Sequence, residues 1–157
     1  MLIAATSRFA VAVLLLASTQ IYQVDAGAFK CYEDYRAITD TGSPQHMLQL
    51  EAYTDDSGLR KVGDRYCMAL GSAYGSEIGT EYDIVLESGY TLPCVLADQK
   101  ADRDTVAGHT RDRSGAVMEF IVDTYRLPET VRRMGDVSYI SPEFKGKIKE
   151  IRKASKR

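Results

Sequence analysis

The sequence contains no tryptophan and only two histidines, and its 20 lysines and arginines nearly balance its 22 aspartates and glutamates. Because no basic excess is present to neutralise phosphates, we expect no nucleic-acid partner. The few histidines and the absence of a Cys-x-x-Cys pair argue against a structural zinc site, and we predict neither a metal nor a cofactor. With 157 residues, the chain has room for one domain.

Cysteine is also scarce. The three cysteines, Cys31, Cys67 and Cys94, are an odd number, which excludes a fully paired disulfide framework. Cys67 and Cys94 lie in apolar runs, which favours buried thiols, with a Cys67–Cys94 disulfide as the alternative. A peptidase that uses Cys94 with His109 as its base is a further alternative, against which the apolar surroundings of the thiol argue.

The longest apolar run is short and lies near the N-terminus. It covers residues 9–17, follows Arg8 and precedes small residues at 24 and 26. This pattern predicts a secretory signal peptide over residues 1–26, and therefore a secreted or cell-wall-associated protein. Because the run falls below the roughly 20 residues that cross a bilayer, we expect no membrane association after cleavage. An uncleaved anchor and a buried N-terminal helix are the alternatives.

What remains is typical of a small β protein. Residues 27–62 are polar and are predicted to form an N-terminal arm, residues 63–152 the folded domain, and residues 153–157 a basic tail. Apolar runs separated by glycines predict strands at 65–70, 82–86, 92–97, 117–122 and 147–151. A turn is predicted at 87–90, and one short helix from Pro128 to Gly135. We therefore expect a mainly β fold, namely a small six-stranded closed barrel with one short helix.

Two aspartates are the candidate catalytic residues. Asp98 and Asp123 each end an apolar run, so that partial burial at a strand end would raise the pKa of the carboxyl group and suit it to general acid chemistry. Two such carboxyl groups, if adjacent, are the arrangement that cleavage of a glycosidic bond requires. Alternatively, both aspartates only form turns.

Four further side chains are candidates for substrate binding. Lys100 follows Asp98 by two positions and could hold its charge or bind an anionic group. Ser72 and Tyr74 lie on a glycine-flanked loop, where the backbone could approach a ligand closely. His109 lies in a polar loop and could orient a substrate. The alternative for Lys100 and His109 is simple exposure to solvent.

Several short segments carry a family resemblance. They are residues 68–71 (Met-Ala-Leu-Gly), 78–82 (Ile-Gly-Thr-Glu-Tyr), 95–98 (Val-Leu-Ala-Asp) and 115–123 (Gly-Ala-Val-Met-Glu-Phe-Ile-Val-Asp). In this order they resemble the double-psi β-barrel of the three-aspartate (3D) domain of bacterial cell-wall proteins, which is related to the barrel of lytic transglycosylases. Segments 35–39, 123–124, 127–128 and 134–138 also look like small proteins of gut Firmicutes and their phages.

The resemblance implies a secreted protein that acts on peptidoglycan or another glycan by a lytic transglycosylase-like route. In the family, the aspartate after the small residue is the acid, a role that maps onto Asp98, and the later strand-end aspartate maps onto Asp123. The alternative is a non-catalytic barrel, either a carbohydrate-binding module or a structural part of a phage or surface assembly. Residues 99–102, which replace the family's glycine-rich turn, favour that alternative.

Overall fold

The computed structural model describes residues 19–24 and 29–154. Within these residues there are two α-helices, α1 (Pro44–Glu51) and α2 (Glu129–Met134). The strands are β1 (Gln20–Gln23), β2 (Phe29–Asp34), β3 (Tyr53–Thr54), β4 (Arg60–Val62), β5 (Arg65–Leu70), β6 (Glu81–Leu86), β7 (Thr91–Gln99), β8 (Thr105–Val106), β9 (Arg111–Asp112), β10 (Ala116–Val122) and β11 (Ile148–Lys153).

Most of the strands form one mixed sheet in the order β1-β11-β6-β7-β5-β10-β2, while β3 and β4 extend from β5 and β8 pairs only with β9. The pairs β5–β7 and β2–β10 are parallel, and the other pairs are antiparallel. The parallel pair β5–β7 requires a crossover, and β6 lies within that connection. The mainly β class is therefore confirmed.

The apolar runs formed strands where the sequence predicted them. Each predicted strand matches β5, β6, β7, β10 or β11 within two residues. The predicted turn joins β6 to β7, with Gly89 at a positive φ of 91°. Helix α2 ends at Gly135, whose left-handed backbone (φ 67°) terminates the helix as expected.

The six-stranded closed barrel is not what the structure contains. The described residues form eleven strands, and β1 and β2 stand at opposite ends of the sheet without pairing to each other. The count was too low because β3, β4, β8 and β9 are only two or three residues long, β1 lies in the predicted signal peptide and β2 carries three polar residues. Helix α1, in the predicted arm, adds a second helix.

One face of the sheet holds the main core. Met68, Leu96 and Phe120 are completely buried there. Phe120, Tyr66 and Phe144 pack edge to face, with ring centroids 5.4–5.9 Å apart. Apolar burial and aromatic contacts of this kind supply most of the stabilisation of a small domain.

The opposite face, which we call the second face, holds a smaller apolar cluster formed by Cys67, Ala69, Val95, Ala97 and Ile121. Leu48 and Ala52, on and just after α1, cover it. Buried Arg60 holds the helix in place, since its guanidinium donates hydrogen bonds to the carbonyls of Gln49 (2.7 Å) and Ala52 (2.8 Å). The rest of this face is available for polar groups.

Most of the predicted signal peptide lies outside the described residues. Gln20–Gln23, within the predicted span of 1–26, form β1 and pair with β11. In the described part of the chain, neither helix has the length and apolar character to cross a bilayer.

Candidate functional site

Asp98 and Glu119 lie on the second face, on either side of β5. Ala69 of β5 pairs with Asp98 of β7 and also with Glu119 of β10. A register shift after Met68 leaves Ala97 as an extra residue in β7, so Asp98 directly follows Ala97 on this face. Residues that are paired across strands project from the same face, which brings both carboxylates above Ala69.

Strand β2 adds two more side chains to this group. Cys31 pairs with Glu119 and Glu33 pairs with Ile121, so both project from the second face. The Cys31 thiol donates a hydrogen bond to Glu119 Oε1 (3.4 Å). Glu33 therefore lies beside the same group of carboxylates.

Lys100 and Asp112 close one side of the site. The side chain of Lys100 is only 4% exposed, and its Nζ atom lies 2.9 Å from Asp112 Oδ2 and 3.1 Å from Glu119 Oε1. Asp112 is further fixed by hydrogen bonds from Ser114 and from the Ala116 amide. We refer to Glu33, Asp98, Asp112 and Glu119 as the carboxylate cluster, in which the ammonium group of Lys100 contacts Asp112 and Glu119 only.

The excess of carboxyl groups over ammonium groups in the cluster accompanies raised pKa values of Glu33 and Asp98. Burial, together with the charges of Asp98 and Glu119, raises the pKa of Glu33 to about 7, although Lys100 opposes the rise. Burial also raises the pKa of Asp98, against hydrogen bonds from the Gln99 amide (2.8 Å) and from Gln45. Around pH 7 the Glu33 carboxyl group is therefore close to half protonated.

Lys100 neutralises part of the negative charge of the cluster through its contacts with Asp112 and Glu119. Burial alone would lower the pKa of Lys100, but hydrogen bonds to Asp112 and Glu119 reverse the effect and raise it. The partner Asp112 has a lowered pKa, because hydrogen bonds from Ser114 and Lys100 outweigh its burial. Lys100 and Asp112 thus form a fixed ion pair, whereas Glu33 and Asp98 are the carboxyl groups with raised pKa values.

Ligand atoms of Cys31, Asp112 and Glu119 lie within 4.8 Å of one another, a spacing that would allow them to hold a metal ion. The ammonium group of Lys100 already bonds to both carboxylates of this set. Burial also raises the pKa of the Cys31 thiol, with the charge of Glu119 adding to the effect, so the thiolate that a metal needs is disfavoured. We therefore assign this cation role to Lys100.

Asp123 is separated from Asp98. It lies four residues beyond Glu119 along the chain, about 13 Å in an extended strand. Its Oδ1 atom accepts hydrogen bonds from Arg36 Nη2 (3.0 Å) and from the Tyr125 amide (3.2 Å). Among the predicted site residues, the structure groups Asp98 with Lys100 but not with Asp123.

The other predicted binding residues lie around the β8–β9 hairpin. Ser72 donates a hydrogen bond to Asp102 Oδ1 (2.6 Å), and His109 Nδ1 lies 2.7 Å from Thr105 Oγ1. Tyr74 is buried in the main core, where its carbonyl accepts a hydrogen bond from the Tyr82 hydroxyl (2.9 Å).

A cleft beside this hairpin is lined by Gln23, Val24, Tyr74, Ala107, Thr110, Arg111 and Val117. Neither Asp98 nor Glu33 belongs to its lining. The candidate site and this cleft are therefore different places.

All three cysteines are free thiols. Cys67 belongs to the cluster on the second face and Cys94 to the main core, so their side chains point to opposite sides of the sheet and cannot form the alternative disulfide. Cys94 is completely buried, and burial raises the pKa of its thiol, which makes it a poor nucleophile.

Glu33 and Cys31 were missed as site residues. Cys31, Glu33 and Tyr35 alternate along the chain, which is the spacing of one face of a strand. The polar residues Lys30 and Asp34 made this segment resemble a solvated arm, so β2 was not predicted. Glu119 was visible as an acid within an apolar run, yet only the pairing of β5 with β10 brings it to Asp98.

Comparison of the chain with protein-family models, with curated proteins and with solved structures found no match. The functional assignment therefore depends on the geometry of the carboxylate cluster and on the sequence resemblance.

Proposed function

We propose that the chain cleaves glycan strands of peptidoglycan, with the carboxylate cluster as its acid and base. One observation carries the proposal: Glu33, Asp98 and Glu119 share one face of the sheet, where burial raises the pKa of Glu33 to about 7. A protonated carboxyl group beside an ionised one is the combination that cleavage of a glycosidic bond uses.

The different surroundings of Glu33 and Asp98 assign one of them as the acid and the other as the base. Glu33, whose pKa burial raises to about 7, is the general acid. Asp98 accepts hydrogen bonds from the Gln99 amide and from Gln45, which favour its ionised form, and it is the general base. This assignment gives Asp98 a different role from the acid role that the family resemblance implies.

The reaction follows a transglycosylase-like course. Glu33 gives its proton to the glycosidic oxygen as the bond from that oxygen to C1 breaks. The C6 hydroxyl of the same sugar then bonds to C1, and Asp98 takes the proton of this hydroxyl. The products are a 1,6-anhydro end and a free hydroxyl, and no water is consumed. Transfer of the proton from Asp98 to Glu33 restores the site, while Glu119 stabilises the positive charge that develops at C1.

The substrate class and the setting come from the sequence. The segments between residues 68 and 123 resemble the three-aspartate domain of cell-wall proteins, and the apolar run at 9–17 is typical of a secreted protein. We also propose that the central strands have the double-psi arrangement. The two parallel pairs, β2–β10 and β5–β7, support this part of the proposal.

The test is incubation of the purified full chain with isolated peptidoglycan, followed by mass spectrometry of the soluble products. We expect fragments that end in 1,6-anhydro sugars. Reducing ends instead would indicate hydrolysis by water and contradict the transglycosylase course. Retention on insoluble peptidoglycan without any release would contradict catalysis and favour a carbohydrate-binding module.

A further inference from the structure

Two tyrosine rings and one guanidinium group form a stack next to the carboxylate cluster. The Arg36 guanidinium lies 4.5 Å from the centre of the Tyr35 ring and 4.8 Å from that of the Tyr125 ring. Arg60 lies 4.5 Å from the centre of the same Tyr35 ring. We call Tyr35, Arg36 and Tyr125 the Tyr-Arg-Tyr stack.

The stack is fixed at its centre. Arg36 Nη1 donates to both carboxylate oxygens of Asp34 (3.0 and 2.9 Å), and Nη2 donates to Asp123 (3.0 Å). The two carboxylates therefore hold the plane of the guanidinium group. Asp123 also accepts a hydrogen bond from the Tyr125 amide (3.2 Å), which fixes the backbone beneath the outer ring.

Tyr125 is 81% exposed to solvent. This is the largest exposed fraction among the exposed large hydrophobic residues of the described chain. One side of its ring faces Arg36. Such a ring presents a flat apolar surface to solvent. Because Arg36 already supports the ring, covering it with a ligand costs little side-chain conformational entropy.

The stack lies on the same side of the sheet as the carboxylate cluster. Tyr35 follows Glu33 by two positions, about 7 Å along an extended chain, and packs against the apolar cluster of the second face. Tyr35 thus joins the second face, on which Glu33 lies, to Arg36 and Tyr125.

We propose that the exposed Tyr125 ring, supported by Arg36, is a subsite on which one sugar ring of a glycan strand stacks. The C–H groups on one side of a pyranose ring pack against the aromatic face, as apolar groups do on tyrosine. Asp123 Oδ1 accepts hydrogen bonds from both Arg36 and the Tyr125 amide, which fixes the guanidinium group and the outer ring relative to each other. This inference rests on the proposed function, because it takes the same glycan as the ligand.

The test is an NMR titration of the full chain with a soluble oligomer of β-1,4-linked N-acetylglucosamine. We expect Tyr125→Ala to weaken binding about fivefold, the effect of one lost ring contact. Tyr125→Phe keeps the ring and should bind within about twofold of the wild type. Tyr90→Ala is the matched control, because Tyr90 is 48% exposed but lies in the β6–β7 turn.

The outcomes separate the two proposals. Equal affinity of Tyr125→Ala and the wild type, an equal loss in Tyr90→Ala, or no binding by the wild type would overturn the subsite. Weaker binding by Tyr125→Ala alone supports the subsite, even if the chain releases no fragments from peptidoglycan and the proposed cleavage fails. Release of anhydro fragments with unchanged affinity in Tyr125→Ala would leave the cleavage intact and remove only the subsite.

Discussion

Asp98 and Glu119 project from the two strands that flank β5, both opposite Ala69. The spacing of strands places their backbones about 10 Å apart, with the small alanine side chain between them. The charges of both carboxylates help to raise the pKa of Glu33, so the three acids act on one another across this face. The proposed acid and base depend on this arrangement.

The first prediction concerns the stability of the fold as a function of pH. Burial raises the pKa of Glu33 from its usual 4.5 to about 7, so the folded state binds a proton that the unfolded state has lost. Stability should therefore fall as the pH rises from about 4.5 to about 7. Glu33→Gln should be more stable than the wild type by about 1–3 kcal/mol at pH 8 and equal to it at pH 4, by urea unfolding. The same difference at both pH values would contradict the raised pKa.

The second prediction concerns Lys100. Replacing it by methionine removes the only cationic partner that Asp112 and Glu119 have among the described residues and should destabilise the fold by about 3–5 kcal/mol. The double variant Lys100→Met/Glu119→Gln should recover part of this loss, since one buried charge is removed. Lys149→Met on β11, where the lysine is exposed, is the control. Thermal and urea unfolding measure the effect, and a loss below about 1 kcal/mol would argue against the ion pair.

The third prediction separates Asp123 from the chemical step. Asp123 holds Arg36 of the Tyr-Arg-Tyr stack, and its carboxylate bonds to Arg36 and to the Tyr125 amide rather than to members of the carboxylate cluster. Asp123→Asn should therefore raise KM about fivefold, with kcat within about twofold of the wild type, when cleavage of soluble glycan strands is measured. A loss of kcat as large as that in Asp98→Asn would show that the original pairing of Asp98 with Asp123 is correct.

The fourth prediction concerns β1. A chain that begins at residue 27, the expected product of signal cleavage, lacks this strand and the edge contact between Tyr22 and Tyr74 (centroids 5.1 Å apart). It should still fold, because the main core lies on other strands, but with a free energy of unfolding about 2 kcal/mol lower. Circular dichroism melts of the two chains test this. An unfolded short chain would mean that β1 is essential and would oppose cleavage at residue 26.

The sequence was sufficient for the strands that carry continuous apolar runs. Strands β5, β7 and β10 are buried on both faces, and their apolar runs, each preceded closely by a glycine, identify them. Strand β2 could not be identified in this way. Its lysine and two acidic residues resemble a solvated arm, although Lys30 is 1% exposed and donates a hydrogen bond to the Gly146 carbonyl.

Of the acids in the site, Asp98 could be predicted from the sequence, whereas Glu33 and Glu119 could not. Asp98 stands out as an acid at the end of an apolar run, and this local feature is visible in the sequence. Its partners Glu33 and Glu119 are brought to it by the order of β2, β10, β5 and β7 and by the bulge at Ala97. Neither non-local pairing nor a one-residue register shift leaves a trace in a single sequence.

The most direct test of the central claim is the release of 1,6-anhydro fragments from peptidoglycan by matched acid and amide variants. We expect Glu33→Gln and Asp98→Asn each to lower the rate at least about 100-fold, as loss of a general acid or base does. The controls Glu87→Gln and Asp64→Asn change exposed acids in turns and should match the wild type. Wild-type rates in Glu33→Gln and Asp98→Asn would contradict a catalytic role for the carboxylate cluster.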